Sequence, residues 1–276
     1  MDEIKLFSWK TFAFLILLIL IVVTVSFIKF QDPRTIVVFC DVGQGDGAYI
    51  RVRNKIDILV DAGPDNKILS CLSQYMPFWD HTIELAFLSH PQKDHYGGYL
   101  SILDHYKIDH FFTTPVTVKS STFQKLLDKL KVGKTRIEAI YRGTSLEIDA
   151  ARIDFLWPSK DYVLTTFKPQ MDLNNISQIF VFSEGKTHIL FTGDIYGRLV
   201  EQLIPRVSIL KVPHHGSHNG LTKKFLILAD PDQAVISVGK HNSYGHPAKS
   251  ALDMLQALGT KIRRTDIEGT IVFKLQ

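Results

Sequence analysis

The feature that most constrains the fold of this chain is the segment SHPQKDHYGG at 89–98, which directly follows the apolar run 85–88. Such a run predicts a buried β-strand, and the segment after it places His90, Asp94 and His95 at the end of that strand. Two imidazoles and a carboxylate are costly beside a core strand unless they have polar partners. We therefore interpret them as metal ligands, in preference to a polar surface turn.

The same arrangement recurs at the ends of other predicted strands. A single histidine after a strand is more often an ordinary surface residue, but its repeated occurrence favours one site built from loops on a rigid scaffold. The further residues at the ends of predicted strands are Asp61, Asp194, His214, His215 and His246.

Apolar runs and turn residues predict alternating strands and helices in two halves of the chain. The predicted strands are 36–39, 48–52, 56–60, 85–88, 178–182, 187–191, 207–212, 234–238, 261–264 and 270–273. The predicted helices are 67–74, 98–106, 196–203, 221–228 and 248–258. The pattern alone indicates an α/β or α+β domain.

The N-terminus carries an apolar run over 11–28, which is 18 residues long and has no charge. Its length is near the roughly 20 residues that cross a bilayer as a helix. Hydrophobicity on all sides disfavours a surface core helix, and no small-residue cleavage pattern follows Ser26. We expect an uncleaved membrane anchor in 1–30 and one globular domain in 31–276.

The chain has two cysteines, Cys40 and Cys71, and no CxxC pair. We expect Cys40 to pack as a small apolar residue in its strand, and a disulfide is the less favoured alternative that export would allow. With no thiolate cluster, the metal ligands are imidazoles and carboxylates. Such a ligand set suits zinc or manganese.

Seven short motifs, taken in order, resemble the metallo-β-lactamase superfamily, and within it the hydrolase domain of the ComEC competence proteins. They are FCDVGQGDG at 39–47, LVDAG at 59–63, LSHP at 88–91, NNIS at 174–177, FTGD at 191–194, KVPHHGS at 211–217 and YGHP at 244–247. The resemblance runs from about Ile36 to the C-terminus. It implies an αββα sandwich and a metal-dependent hydrolase.

The resemblance also implies roles for the residues at the strand ends. The expected metal ligands are His90, Asp94, His95, Asp194, one or both of His214 and His215, and His246. Asp194 is expected to bridge two cations, and Asp94, Asp194 and His215 are the expected catalytic residues. Two cations lower the pKa of water to about 7, which supplies a nucleophile without a basic side chain. Asp61 is expected to orient a ligand imidazole.

One position departs from the superfamily pattern, because Gln92 stands where the second histidine is expected. A glutamine carbonyl oxygen is a poorer ligand than imidazole for Zn²⁺, so either one or two ions are expected. Asp41 and Asp46 flank a glycine turn, and their roles as loop caps or as neighbours of the metal stay open. The segment 174–177, where many members have a further histidine, is expected to face the substrate or to structure its loop.

The net charge of +4 and the pI near 8.9 are compatible with a polyanionic substrate. A basic region could contact nucleic acid, although such runs are more often solvated helix faces. It comprises Lys119, Lys125, Lys129, Lys131, Lys134 and Arg136.

The resemblance implies a phosphodiesterase or nuclease that acts on DNA. It also implies an extracellular catalytic domain on a single-pass anchor in the cell membrane, with any transport channel supplied by a separate partner. The alternatives are a phosphoesterase on cell-envelope polymers and a non-catalytic DNA-binding module.

Overall fold

The computed structural model describes residues 9–168 and 170–275, and in this part of the chain fourteen strands form two seven-stranded sheets. Most of the strands are rich in valine, isoleucine and phenylalanine, which suit a pleated, buried surface. The strands are β1 (Ile36–Phe39), β2 (Gly47–Val52), β3 (Ile56–Ala62), β4 (Thr82–Phe87), β5 (Lys107–Thr113), β6 (Arg136–Ala139), β7 (Ser145–Ile148), β8 (Ala151–Trp157), β9 (Ile179–Glu184), β10 (Thr187–Phe191), β11 (Ile209–Lys211), β12 (Gln233–Ile236), β13 (Lys261–Arg264) and β14 (Ile271–Lys274).

Both sheets are mixed and have the same plan. The first sheet has the order β14-β1-β2-β3-β4-β5-β6, with antiparallel pairing up to β3 and parallel pairing from β3 to β6. The second has the order β13-β12-β11-β10-β9-β8-β7, with parallel pairing from β10 to β13 and antiparallel pairing from β7 to β10. The carboxyl ends of parallel neighbours share one edge of a sheet, and the candidate ligands follow these ends.

The described residues also form nine α-helices, and the helices after α1 connect the strands. They are α1 (Trp9–Lys29), α2 (Lys67–Tyr75), α3 (Lys93–Tyr96), α4 (Tyr99–Ile102), α5 (Ser121–Val132), α6 (Gly197–Val200), α7 (Lys223–Ala229), α8 (Lys249–Ala257) and α9 (Thr265–Glu268). Three 3₁₀ turns span Leu173–Ile176, Glu201–Leu203 and Pro213–Gly216, and a π-helical turn spans Tyr162–Thr166.

The domain is built in four layers. The two sheets pack on each other through aromatic side chains, with the Phe39 and Phe191 ring centroids 5.6 Å apart and those of Phe87 and Phe180 5.5 Å apart. A second apolar cluster joins the outer face of the first sheet to α2, α4 and α5, and a third joins the second sheet to α7 and α8. The structure therefore has the expected αββα arrangement of an α/β protein.

The chain divides into two compact units, Met1–Pro33 and Arg34–Gln276. Helix α1 covers the predicted membrane span. Within the described ranges, however, no helix has both the length and the apolar character needed to cross a membrane. The structure thus does not support the transmembrane span that we expected from the sequence.

The two cysteines form a disulfide, so the expectation of an unpaired Cys40 is wrong. Cys40 directly follows β1 and Cys71 lies in α2, with their Cα atoms 5.8 Å apart. Both side chains lie in the apolar cluster between the first sheet and its helices. The pairing follows from the packing of α2 against the end of β1, which no local pattern in the sequence specifies.

Candidate metal centre

Four side chains converge at the shared edge of the two sheets. Asp94, His95, Asp194 and His215 each place one ligand atom within 4.8 Å of the others. Nε2 of His95 lies 3.3 Å from Oδ2 of Asp194, and Nε2 of His215 lies 3.4 Å from the same oxygen. Asp94 is one-third exposed, whereas the other three are buried, so the cluster is accessible from the side of Asp94. All four were predicted as ligands from the sequence.

Asp94 and His95 lie in α3, directly after the loop that follows β4. Gly98 lets this segment lie against the end of β3, because a Cβ atom at Gly98 would stand 2.0 Å from the carbonyl oxygen of Ala62. The backbone N–H of Gly98 donates to the carbonyl of Gly63 at 2.9 Å. Gly98 therefore allows Asp94 and His95 to lie close to the end of β3.

Asp194 lies in the turn that follows β10. Gly193 has a φ of +49°, and a Cβ atom there would stand 2.8 Å from Cβ of Ser89 and 3.0 Å from Cβ of Ser177. The backbone N–H of Asp194 donates to Oγ of Ser177 at 3.1 Å. The segment that contains Ser177 thus structures the loop that carries Asp194, which is one of the two roles expected for it.

His215 lies in a strained turn after β11. His214 and His215 both have left-handed backbone conformations, with φ of 50° and 53°. Such a conformation costs roughly 1–3 kcal/mol for a residue other than glycine and is typical of functional sites. Nδ1 of His215 donates to the carbonyl oxygen of Ser237 at 2.9 Å. This hydrogen bond leaves Nε2 as the ring atom that faces the carboxylates of Asp94 and Asp194.

Asp61 holds the ring of His95 in the same way. Oδ2 of Asp61 lies 2.9 Å from Nδ1 of His95, and Oδ1 accepts a hydrogen bond from the backbone N–H of Ser89 at 2.8 Å. This contact has the geometry expected for a carboxylate that orients a ligand imidazole.

The ligand atoms of this cluster fit a divalent cation. Among the described residues, Nε2 of His95 and Nε2 of His215 are buried and have no hydrogen-bond partner. A buried polar atom without a partner costs about 1–3 kcal/mol, so such atoms call for an explanation. Two imidazole nitrogens and two carboxylates are ligands that zinc and similar cations accept.

The other three predicted histidine ligands lie around this cluster rather than in it. The ring of His90 lies 4.2 Å from that of His95, and its buried Nε2 has no partner within the described chain. Nε2 of His214 lies 3.8 Å from Oδ2 of Asp194, and the His246 ring is 5.6 Å from the His214 ring. Gln92 precedes α3, and its backbone N–H donates to the carbonyl of His90 at 2.9 Å.

The electrostatics of the cluster follow from burial and from the neighbouring charges. Burial alone would raise the pKa of Asp194, but the charges of His215 and His95 hold that pKa well below its usual value. Burial would lower the pKa of His95, but Asp194, Asp61 and Asp94 raise it well above the usual value. Burial and the charge of His95 lower the pKa of His90 to about 3, so this imidazole stays neutral.

The sequence did not reveal a buried ion pair beneath the cluster. Lys211 is only 3% exposed, and its Nζ donates to Oδ2 of Asp46 and, at 3.2 Å, to the carbonyl of Gly193. Oδ1 of Asp46 lies 3.4 Å from Nδ1 of His215, and Nζ of Lys211 lies 4.0 Å from Oδ1 of Asp194. The sequence did contain one indication of this ion pair, because Lys211 lies within an otherwise apolar strand. Lysine is almost never fully buried unless it is paired.

Of the two aspartates in the glycine turn, only Asp46 lies near the predicted ligands. Asp41 is exposed, and its Oδ1 accepts a hydrogen bond from the backbone N–H of Gly43 at 3.2 Å. Asp41 therefore caps its loop. Asp46 belongs to a second group of possible ligands, together with Asp61 and His95.

An αββα sandwich with imidazoles and carboxylates gathered at one sheet edge defines the class of metal-dependent hydrolases. The sequence model of the metallo-β-lactamase superfamily matches residues 40–241, which is more than half of the chain. The chain belongs to the metallo-β-lactamase superfamily.

Two competence proteins are similar to this chain. ComE operon protein 3 of Bacillus subtilis is 26% identical over 259 residues, which cover 85% of this chain and 32% of that protein. Competence protein ComA of Neisseria gonorrhoeae is 25% identical over 258 residues, which cover 85% of this chain and 31% of that protein. The chain spans about a third of the length of these relatives.

A solved structure shows the same fold. The metallo-β-lactamase fold protein YhfI from Bacillus subtilis superposes with a TM-score of 0.58 at 12% sequence identity. The match covers 88% of this chain and 100% of that chain.

Proposed function

We propose that this protein is a metal-dependent phosphodiesterase that cleaves DNA. The observation that carries the proposal is the cluster of Asp94, His95, Asp194 and His215, in which two buried imidazole nitrogens lack a partner among the described residues. The similarity to competence proteins supports DNA as the substrate.

Asp94, His95, Asp194 and His215 would hold a cation, with zinc and manganese both compatible with this ligand set. When bound, a divalent cation neutralises phosphate charge and lowers the pKa of a coordinated water. Asp61 and the carbonyl of Ser237 fix the two ligand rings through their Nδ1 atoms. His90 lies beside His95 and His246 lies beside His214, and we propose that they support a second ion.

We propose that His214 exchanges a proton with the reacting group. Its Nε2 lies 3.8 Å from Oδ2 of Asp194, and the side chain is one-quarter exposed. Burial lowers the pKa of His214, so the ring is neutral at pH 7 and can accept a proton at Nε2.

The test is a substrate comparison with the purified full chain. Single-stranded DNA, double-stranded DNA, bis(p-nitrophenyl) phosphate and phosphocholine are incubated with Mn²⁺, with Zn²⁺ or with EDTA. We expect metal-dependent cleavage of DNA that EDTA abolishes. Faster hydrolysis of phosphocholine than of DNA would favour an envelope phosphoesterase. DNA binding without hydrolysis at full metal loading would favour a binding module.

We further propose that the domain acts outside the cytoplasm. The disulfide between Cys40 and Cys71 supports this, because disulfides persist in oxidising compartments. Protease added to intact cells should digest the domain and leave a cytoplasmic marker intact. Equal protection of both would contradict an external position.

The competence relatives are about three times as long as the part that matches this chain. We propose that any role in DNA uptake involves a membrane protein as a partner. Copurification of a membrane protein with the full chain would test this.

A further inference from the structure

A cavity of about 550 Å³ lies beside the metal centre. We propose that it binds a phosphate adjacent to the scissile one, so that the enzyme prefers a polynucleotide strand to a small phosphodiester. The inference rests on the proposed function and specifies its substrate. The cavity is lined by residues that include Tyr196, Arg198, His218, Asn219, Thr222 and Lys223.

The cavity adjoins the cluster through Tyr196. This residue follows Asp194 by two positions, and its ring centroid lies 6.1 Å from that of His214. The two walls of the cavity are joined by the backbone N–H of Gly197, which donates to the carbonyl of Asn219 at 3.3 Å. A polynucleotide with one phosphate at the metal centre would therefore place its next nucleotide in this cavity. Tyr196 offers a ring on which the base of that nucleotide can stack.

The cavity presents cationic side chains that the protein does not neutralise. Arg198 and Lys223 are exposed, and within residues 9–168 and 170–275 no ion pair or hydrogen bond is found for their side chains. Such unpaired guanidinium and ammonium groups are the usual partners of nucleic-acid phosphates.

The carboxylates near this cavity are already engaged. Glu201 accepts a hydrogen bond from the Thr222 hydroxyl and lies 3.7 Å from Nζ of Lys224. Asp172 accepts from the Tyr196 hydroxyl at 2.5 Å and from the backbone N–H of Asn174 at 3.0 Å. Neither carboxylate lines the cavity, and the charged side chains in its lining, Arg198 and Lys223, are positive.

A larger cavity of about 810 Å³ lies along α5, in the basic region that the sequence singled out. Its lining is of mixed charge, since it includes Asp104 and Asp128. Nζ of Lys129 is bound to Oδ1 of Asp104 at 2.5 Å, and Nζ of Lys131 lies 3.8 Å from Oδ1 of Asp128. This second cavity is a poorer phosphate site, and two lysines of the basic region, Lys119 and Lys125, provide a matched control.

The experiment compares Arg198→Ala/Lys223→Ala with Lys119→Ala/Lys125→Ala in the full chain, because both variants remove two positive charges. Values of kcat/KM are measured for a single-stranded oligonucleotide and for bis(p-nitrophenyl) phosphate, which has no second phosphate. In Arg198→Ala/Lys223→Ala, activity on the oligonucleotide should fall at least about tenfold more than activity on the small diester, because charged hydrogen bonds to phosphate are removed. The salt dependence of oligonucleotide binding should weaken by about 0.7 in log–log slope for each phosphate that the variant no longer neutralises.

Equal losses on the two substrates, or the same selective loss in the lysine control, would overturn the inference. Oligonucleotide binding to the full chain in EDTA, followed by fluorescence anisotropy, separates this result from failure of the proposed function. If the wild type hydrolyses neither substrate, the proposed function fails. An unchanged Kd of Arg198→Ala/Lys223→Ala would then also reject the phosphate site, and a Kd about tenfold weaker in that variant alone would retain it.

Discussion

His95 and His215 each have one ring nitrogen held by the protein and the other facing Asp194. Nδ1 of His95 contacts Asp61 and Nδ1 of His215 contacts the carbonyl of Ser237, both at 2.9 Å. A fixed Nδ1 sets the direction of Nε2, which is how proteins orient metal-ligating histidines.

Metal affinity should rise with pH. Burial would lower the pKa of His95 and of His215, but the carboxylates around them raise both pKa values well above the usual value. At neutral pH both rings therefore carry protons in the metal-free protein, and a cation must displace them. Titration calorimetry at pH 7 in two buffers of different ionisation enthalpy should show more than one proton released per ion. Binding without proton release would contradict the assigned ligands.

Gln92→His should raise the metal stoichiometry or tighten Zn²⁺ binding. The backbone N–H of Gln92 donates to the carbonyl of His90, whose neutral imidazole has a buried Nε2 without a partner in the described chain. A second imidazole would complete the ligand set of the neighbouring position. Metal analysis of the two proteins after dialysis measures the difference. Unchanged stoichiometry and affinity would show that Gln92 does not adjoin a metal position.

Lys211→Met should destabilise the domain by about 3–5 kcal/mol, because it leaves the Asp46 carboxylate buried without its cation. Asp46→Asn/Lys211→Met removes both charges and should recover much of that loss. Urea unfolding of the wild type, both single variants and the double variant gives the coupling free energy. Additive losses would mean that the two groups act independently.

At the residue scale, sequence patterns find groups that follow strands and miss groups that depend on distant partners. Asp94, Asp194 and His215 each follow an apolar run within a few residues, and this local pattern was enough to predict them. Lys211 and Asp46 are 165 positions apart, so their pairing exists only in the folded chain. The disulfide between Cys40 and Cys71 was missed for the same reason.

At the element scale, the strands nearest the site were predicted almost as they occur, whereas the segment from β5 to β8 was left unassigned. The residues of β6 are all exposed, so this edge strand has no apolar pattern to detect. Two other unassigned elements, β8 and α5, do have a sequence pattern that indicates their secondary structure. Buried residues alternate along β8, and α5 has a Ser120 cap with buried Phe123, Leu126 and Leu130. In α5 the apolar residues have helical spacing, but the sequence analysis treated this segment only as a basic region.

The disulfide ties α2 to the end of β1, next to the loop that carries Asp46. The cysteines are 31 positions apart, and a closed loop of this size stabilises a fold by about 3–4 kcal/mol. Reductant should therefore lower the urea midpoint of the wild type and leave that of Cys40→Ser/Cys71→Ser unchanged. An equal response of the two proteins to reductant would show that the bond does not contribute to stability.

At the scale of the whole molecule, two sheets of the same plan explain why the ligands are dispersed along the chain. The first sheet supplies Asp61, Asp94 and His95 from the ends of β3 and β4, and the second supplies Asp194 and His215 from the ends of β10 and β11. Neither sheet alone holds the full set, so the site forms only when the aromatic layer between them is packed. Metal binding and folding of the domain should therefore be coupled.

The most direct test of the central claim is the metal content and DNA cleavage of Asp194→Asn beside the wild type. The wild-type full chain should bind at least one ion, lose cleavage in EDTA and regain it with Mn²⁺ or Zn²⁺. Asp194→Asn should bind metal at least about 100-fold more weakly, since removal of even a residue that only supports a ligand costs roughly 10–100-fold, and should cleave no DNA. Wild-type metal content and wild-type cleavage in Asp194→Asn would contradict the account.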